Sequence, residues 1–401
     1  MGEMEDSALD EKRASGRSVD RGRQKSAPSV KDARIALCHE WLARRTGSEK
    51  TFAVMAKTFP SADLYALTVD RGQNFSFSGR SVTTTFLDHV APLARTRSLQ
   101  LPLMPLAWRF ASRRRYDLVI TSSHACAKGF RPGRTSLHLS YCHTPMRYAW
   151  LSSVDRRART GYFRRLGEEY FRRWDRMSAH WVDEFAANST CVRDRIQQFY
   201  GRQARIIAPP VDTEFFVPPL EAGSKGEFAL AVSRMVGYKR LDLAIQACRH
   251  VGYPLVVAGA GPEEGRLRAL AADLGADVKF VRSPDDGALR ELYRGAQVLI
   301  FPGEEDFGIV PVEAQACGTP VVAYGRGGVL DTVVPGVTGV LVAEQDERSL
   351  AAGIEAVLEN PPDPLRCREN AERFSADRFQ HQFREWVTEA VHARGLDLGL
   401  G

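Results

Sequence analysis

The sequence predicts an α/β chain built from two doubly wound parallel-sheet domains that face each other across a cleft. Three observations carry this expectation. From Ala33 onward, short apolar runs alternate with amphipathic stretches, the pattern of buried strands joined by helices. In the second half six such runs follow one another with short connections, enough for a complete doubly wound sheet. Between the halves, Ala208-Pro209-Pro210-Val211-Asp212, Val217-Pro218-Pro219 and Gly223-Ser224-Lys225-Gly226 read as a linker over about 209–226.

Taken in order, residues 1–32 are polar, charged and poor in large apolar side chains, and read as a disordered tail. A first domain over 33–208 is expected to hold strands at Ile35–Cys38, Leu64–Leu67, Leu118–Thr121, Leu137–Cys142 and Glu184–Ala187. Helical patterns lie at Glu49–Phe59 and in the Arg-rich stretch Gly161–Ala179. A second domain over 209–366 is expected to hold strands at Phe228–Val232, Leu255–Ala258, Val278–Val281, Val298–Phe301, Val321–Ala323 and Val340–Val342. A last segment, 367–401, carries a helical pattern over about Cys367–Ala393.

Composition narrows the class. The chain has 401 residues, 44% hydrophobic and 26% charged, which excludes general disorder and a collagen-like protein. No apolar run approaches the ~18 residues of a membrane span, and the first residues lack an apolar signal core, so a cytoplasmic protein is expected. Seven dispersed cysteines without CxxC read as reduced thiols; neither a disulfide scaffold nor a structural zinc site is expected. The net charge of +6 is concentrated between Leu101 and His180, where sixteen Arg/Lys face five Asp/Glu. Such a stretch suits an anionic membrane surface or a phosphorylated ligand, or is simply a solvated helical face.

The strongest motif follows Leu299-Ile300-Phe301. A polar turn bearing Glu305 leads through Phe307 and Gly308 into a helix carrying Ile309, Val310 and Glu313. Free amides at that helix start suit a phosphate, and the two carboxylates suit sugar hydroxyls on either side of it. A capping acid plus a solvated helix Glu is the plainer alternative. Arg234 and Lys239 flank the turn after Phe228–Val232, where two cations can clamp a diphosphate and stabilise its departing charge. Gly259 lies in a GxGxxxG turn, which disfavours a hydride-transfer site and fits a turn near a nucleotide or a purely structural one. Gly47 opens a helix beyond the first strand, in a turn that lacks the P-loop pattern, and His143 follows a strand toward the cleft. No DxD, GxSxG or HExxH is present, so no metal is expected on a diphosphate and no cofactor is expected.

With these residues in view, the chain resembles the retaining GT-B glycosyltransferases of glycosyltransferase family 4, from about Ala33 to the C-terminus. The features that carry the likeness are Glu305/Glu313 in EEDFGIVPVEAQACGTPVVAYGRGG, Arg234/Lys239 in SRMVGYKRLD, and Asn188-Ser189 with Pro210-Val211-Asp212. HEWLARRTGSEKTF and YCHTPMRYAW look most like the bacterial mannosyltransferase-type branch. The resemblance implies two Rossmann-like domains, and a last helix that crosses back to the first of them. It further implies a nucleotide-diphosphate sugar held by Arg234 and Lys239 on the diphosphate, Glu305 on the donor sugar and Glu313 on the ribose. Amides around Phe307, Gly308, Ile309 and Val310 would meet the phosphate or sugar, and Gly47 and His143 would line the sugar and acceptor side. It implies transfer with retention and without a metal, in which the leaving phosphate takes the acceptor proton. Thr46-Gly47 stands where the family has a glycine pair.

The expected donor is GDP-mannose, with UDP- and dTDP-sugars as other candidates. The expected acceptor is a polyprenyl-diphosphate-linked saccharide at the inner face of a membrane; a soluble small acceptor such as an antibiotic precursor is the alternative, and no nucleic-acid partner is expected. A GT-B-fold sugar-nucleotide 2-epimerase and a non-catalytic binding protein of the same fold are the competing classes.

Overall fold

The computed structural model describes residues 33–396 without 44–46, 73–76, 78, 91–96, 133, 151–161 and 220–225, together with Leu398. The expected N-terminal tail and Thr46 therefore lie outside the described residues.

The first sheet contains β1 (Ile35–Leu42), β2 (Asp63–Val69), β3 (Val82–Thr84), β4 (Arg115–Ser123), β5 (Arg134–Cys142), β6 (Glu184–Ala187) and β7 (Ala204–Ile206). All pairings are parallel, in the order β3-β2-β1-β4-β5-β6-β7. The second sheet contains β8 (Ala229–Val232), β9 (Leu255–Ala258), β10 (Val278–Val281), β11 (Val298–Phe301), β12 (Val321–Tyr324) and β13 (Gly339–Val342), again parallel, in the order β10-β9-β8-β11-β12-β13. In each sheet the order reverses at one place, between β1 and β4 and between β8 and β11. The helices after neighbouring strands diverge there, which opens a crevice beyond the strands' carboxyl ends.

All eleven expected strands form, and β9, β10, β11 and β6 have the expected bounds. β1 and β4 run past their apolar cores at the carboxyl end, because the polar residues there (His39 and Glu40; Ser122 and Ser123) are themselves buried, and β5 starts earlier than expected, at Arg134. β3 and β7 were not expected: each is a three-residue edge strand with no buried residue in its pattern, so it lacks an apolar signature.

The expected linker is partly packed. Val211 and Phe216 are buried in the core of the second sheet, and Val211 N donates to Phe374 O (2.8 Å). The expected Cys367–Ala393 helix is two helices, Pro364–Glu372 and Ala376–Ala393, separated where the Ser375 side chain caps the second by accepting from Arg378 N. The Ala376–Ala393 helix returns to the first domain. Phe379, Phe383, Trp386 and Val387 enter the core beneath β1, β2, β4 and β5, with Phe383 against Phe59 (5.8 Å) and Phe379 against Tyr141 (5.8 Å).

The Arg-rich helix Tyr162–Ala179 is anchored through Asp175, which accepts from Lys128 Nζ, Trp150 Nε1 (2.7 Å) and Tyr200 OH (2.7 Å). Arg172 donates to Ala149 O and Arg176 lies over the Trp150 ring (4.8 Å), so this part of the basic stretch is used locally.

Truncating Phe383, fully buried between the last helix and the first sheet, leaves a cavity at that seam. Phe383→Ala should cost about 3–5 kcal/mol, read as a lowered midpoint in chemical denaturation; a change within error would show that the last helix is not held by this packing.

Candidate active site

The switch point between β8 and β11 supplies one wall. β8 delivers Arg234 to an exposed position, and no ion-pair partner for it occurs among the described residues. A short 3-10 turn, Gly237–Lys239, then carries Lys239 to Glu305, which follows β11, and the two side chains form an ion pair. The turn bearing Glu305 is fixed by its backbone neighbours. Glu305 O accepts from Gly328 N (2.8 Å), Gly327 lies at φ +76°, and a Cβ on Gly328 would stand 2.2 Å from Phe307 Cα. Only glycine permits that approach, so the Gly325–Gly328 stretch is the seat of the Glu305–Phe307 turn. Phe307 is buried against Phe374 (5.6 Å).

Gly308, at φ +89°, starts the helix Ile309–Ala316. The amides of its first turn have no partner within the helix and aim the positive end of the helix at the cleft. Ile309 Cδ1 lies 2.4 Å from where a Cβ on Gly47 would stand, so the first domain's Gly47–Thr58 helix meets this helix start directly. Glu313 is buried one turn further in. Its Oε2 accepts from Tyr293 OH (2.9 Å), and its Oε1 faces Lys50 Nζ of the first domain at 3.9 Å. Burial raises the Glu313 carboxyl above its usual range, against the pull of Lys50 and the Tyr293 hydrogen bond.

The other wall comes from β5 and the Thr190–Tyr200 helix. Arg147, after β5, and Arg195 both pair with Asp306 of the second domain, and Arg195 also reaches Glu304 (3.2 Å). Burial works against the Arg147 charge, but Asp306 more than offsets it and holds the guanidinium above its usual range. Thr190 N and Oγ1 both donate to Asp331 (2.7 Å each). His143 is buried at the end of β5. Its Nε2 is bonded to Ser122 Oγ (2.8 Å), and burial, then the nearby His124, lower its pKa to about 3, so the imidazole is neutral at pH 7.

The residues singled out in the sequence thus converge, with one exception. Arg234, Lys239, Glu305, Phe307, Gly308, Ile309, Val310 and Glu313 share one switch point, and Gly47 and His143 approach it from the first domain. Gly259, at φ +139°, instead has its absent Cβ 2.0 Å from Ser233 O; the glycine is required by backbone contact between two turns of the second sheet. The sequence reading missed Lys50, Arg147, Arg195, Asp306 and Asp331. Asp306 and Arg147 lie inside quoted motifs, but an ion pair 159 residues apart has no local signature.

This geometry agrees with what the chain is similar to. Residues 47–215 match the model of Glycosyltransferase Family 4, and residues 212–374 match that of Glycosyl transferases group 1. The two matches adjoin and together run from 47 to 374, and the two facing parallel sheets have the GT-B fold. D-inositol 3-phosphate glycosyltransferase of Acidothermus cellulolyticus is 34% identical over 207 residues, 44% of this chain and 46% of the relative. D-inositol 3-phosphate glycosyltransferase 2 of Catenulispora acidiphila is 30% identical over 244 residues, 54% and 57% of the two chains. The chain spans about half the length of the curated relatives it matches. Among solved structures, sucrose-phosphate synthase from Thermosynechococcus elongatus superposes with TM-score 0.70 at 20% identity, covering 90% of this chain and 100% of that one. HepE from Anabaena, in complex with UDP and glucose, gives 0.66 at 19%, covering 88% and 99%.

Between the two domains, Glu313 offers a test. Because its folded pKa is raised, its ionisation costs stability as pH rises from the ordinary carboxylate range through the raised value. A Glu313→Gln variant escapes that cost. Its melting temperature relative to the unmodified chain should therefore be highest above this window and fall on acidification through it. A difference that does not move with pH would contradict the buried, raised carboxyl.

Proposed function

We propose that the chain transfers a hexose from a nucleotide-diphosphate sugar to a hydroxyl of an anionic acceptor, with retention of configuration and no metal on the diphosphate. The observation that supports this most is the exposed Arg234, without an ion-pair partner among the described residues, beside the Lys239–Glu305 pair and the start of the Ile309–Ala316 helix. A diphosphate lying there would meet two cations and free amides, and drawing Lys239 onto it would release Glu305 for sugar hydroxyls. Glu313 Oε1 would take a ribose hydroxyl, with Gly47 and His143 closing the sugar and acceptor side. In the reaction, the bond from the anomeric carbon to the phosphate oxygen breaks as the bond to the acceptor oxygen forms on the same face. The acceptor proton passes to the leaving phosphate, and Arg234 and Lys239 stabilise the charge that develops there.

GDP-mannose is the first donor to test, on the sequence resemblance; UDP-glucose is the second, because UDP occupies HepE. Arg234→Ala and Glu305→Ala should each cut transfer at least ~100-fold while leaving the chain folded. Near-normal turnover in either folded variant removes its assigned role.

For the acceptor we favour a lipid-linked saccharide presented at an anionic membrane surface. On the helix Met104–Phe110 of the first domain, Leu106 (49% exposed) and Phe110 (60%) stand outward next to exposed Arg109 and Arg113. Apolar side chains fringed by arginines suit the boundary of an anionic bilayer, at about 1 kcal/mol per cation. The second reading, a phosphorylated polyol as a soluble acceptor, draws on the names of the curated relatives. Vesicles containing anionic lipid should retain the chain at low salt, release it at high salt, and retain Phe110→Ser less well. No retention at low salt would leave the soluble acceptor.

A further inference from the structure

We propose that the first domain holds a divalent metal ion of the zinc class between His39, Glu40 and His124, at the β1/β4 switch point beside His143, on observations that do not depend on the glycosyl-transfer reading. The parallel pairing of β1 with β4 sets His39 opposite Ser122 and so brings His124, 84 residues beyond Glu40, to the same switch point. One nitrogen of each histidine and one carboxylate oxygen lie within 4.8 Å of one another. His39 and Glu40 are wholly buried, whereas the His124 side chain is 25% exposed, which gives an enclosed three-ligand set with one open side.

The hydrogen bonds favour ligation over an ordinary polar core. His39 Nδ1 is bonded to Ser122 Oγ (2.9 Å), which leaves Nε2 to act as a ligand, and among the described residues Nε2 has no hydrogen-bond partner. A buried lone pair or N–H left in that state is costly, and a cation satisfies the lone pair. Glu40 is held as outer-shell contacts hold a ligand: Oε1 accepts from Ala125 N (2.9 Å), Ala127 N (2.8 Å) and Ser123 Oγ (3.2 Å). Its Oε2 faces His124 Nδ1 at 3.3 Å. Two atoms bound to a tetrahedral zinc at about 2.1 Å lie about 3.4 Å apart, the spacing these two already have.

Occupancy would also reach the cleft. With His39 Nε2 on the ion, Nδ1 carries the proton and donates to Ser122 Oγ. The Ser122 hydroxyl then donates to His143 Nε2, and the His143 proton stays on Nδ1. The ion would thereby fix the tautomer of a histidine at the end of β5.

The test uses the tag-free full chain, stripped with chelator and titrated with Co2+, then Zn2+, in the absence of sugar nucleotide. Stoichiometric Co2+ binding with the visible absorption of a four-coordinate site, displaced by Zn2+, is expected. His124→Ala should lose that absorption, and Ser122→Ala should weaken binding about tenfold. Circular dichroism establishes that each variant is folded. Absence of the absorption in the unmodified chain overturns the proposal, as does binding unchanged in both His124→Ala and His39→Ala. Because no donor is present, a failed sugar-nucleotide assignment leaves this result unaffected.

Discussion

Asp306 is the residue on which the relation of the two domains depends. Its carboxylate receives Arg147 and Arg195 from the first domain, and its backbone carbonyl accepts from Ser189 Oγ and Cys191 Sγ. Charge-assisted bonds to a nearly buried carboxylate are strong only while both partners remain, and removing one strands the other's charge. Because Asp306 lies between Glu305 and Phe307, the same contact that joins the domains also sets the height of the turn that carries Glu305. Domain closure and site geometry are therefore one structural event.

The sheets explain why the site lies there. Each reverses its strand order once, and the two reversals face each other through Gly47, His143 and Arg147 on one side and Arg234, Glu305 and Ile309 on the other. The Ala376–Ala393 helix, which follows the second domain in the chain, packs on the first sheet, with Trp386 Nε1 donating to Glu184 Oε2 (3.1 Å). Lys50 of the first domain reaches both Asp286 (3.7 Å) and Glu313 (3.9 Å) across the rim. Under the proposed function a donor would compete with these ligand-free contacts at Lys239, Glu305 and Glu313, and its affinity would be the surplus over them.

Most of the second domain was legible in the sequence, since its strands are continuous apolar runs and its site residues sit at strand ends. The first domain was less so. Its long strands end in buried polar residues such as His39, Glu40 and Ser122, which an apolar-run criterion clips, and its edge strands are too short and exposed to stand out. Gly259 was legible as a turn, but only the contact with Ser233 assigns it to backbone packing. The cross-cleft cations Lys50, Arg147 and Arg195 were not legible because their partners belong to the other domain. The His39–Glu40–His124 cluster has no local spacing either: it lies within the first domain but forms only where β1 and β4 pair.

The most direct measurement is hydrogen–deuterium exchange with and without a stabilising sugar nucleotide. If the donor lies between the domains, three separated segments gain protection together: the turn after β8 around 233–240, the turn and helix start around 303–312, and the start of the Gly47–Thr58 helix. Protection confined to one domain, or found at none of these segments while the nucleotide is bound, would contradict a donor site shared by the two switch points.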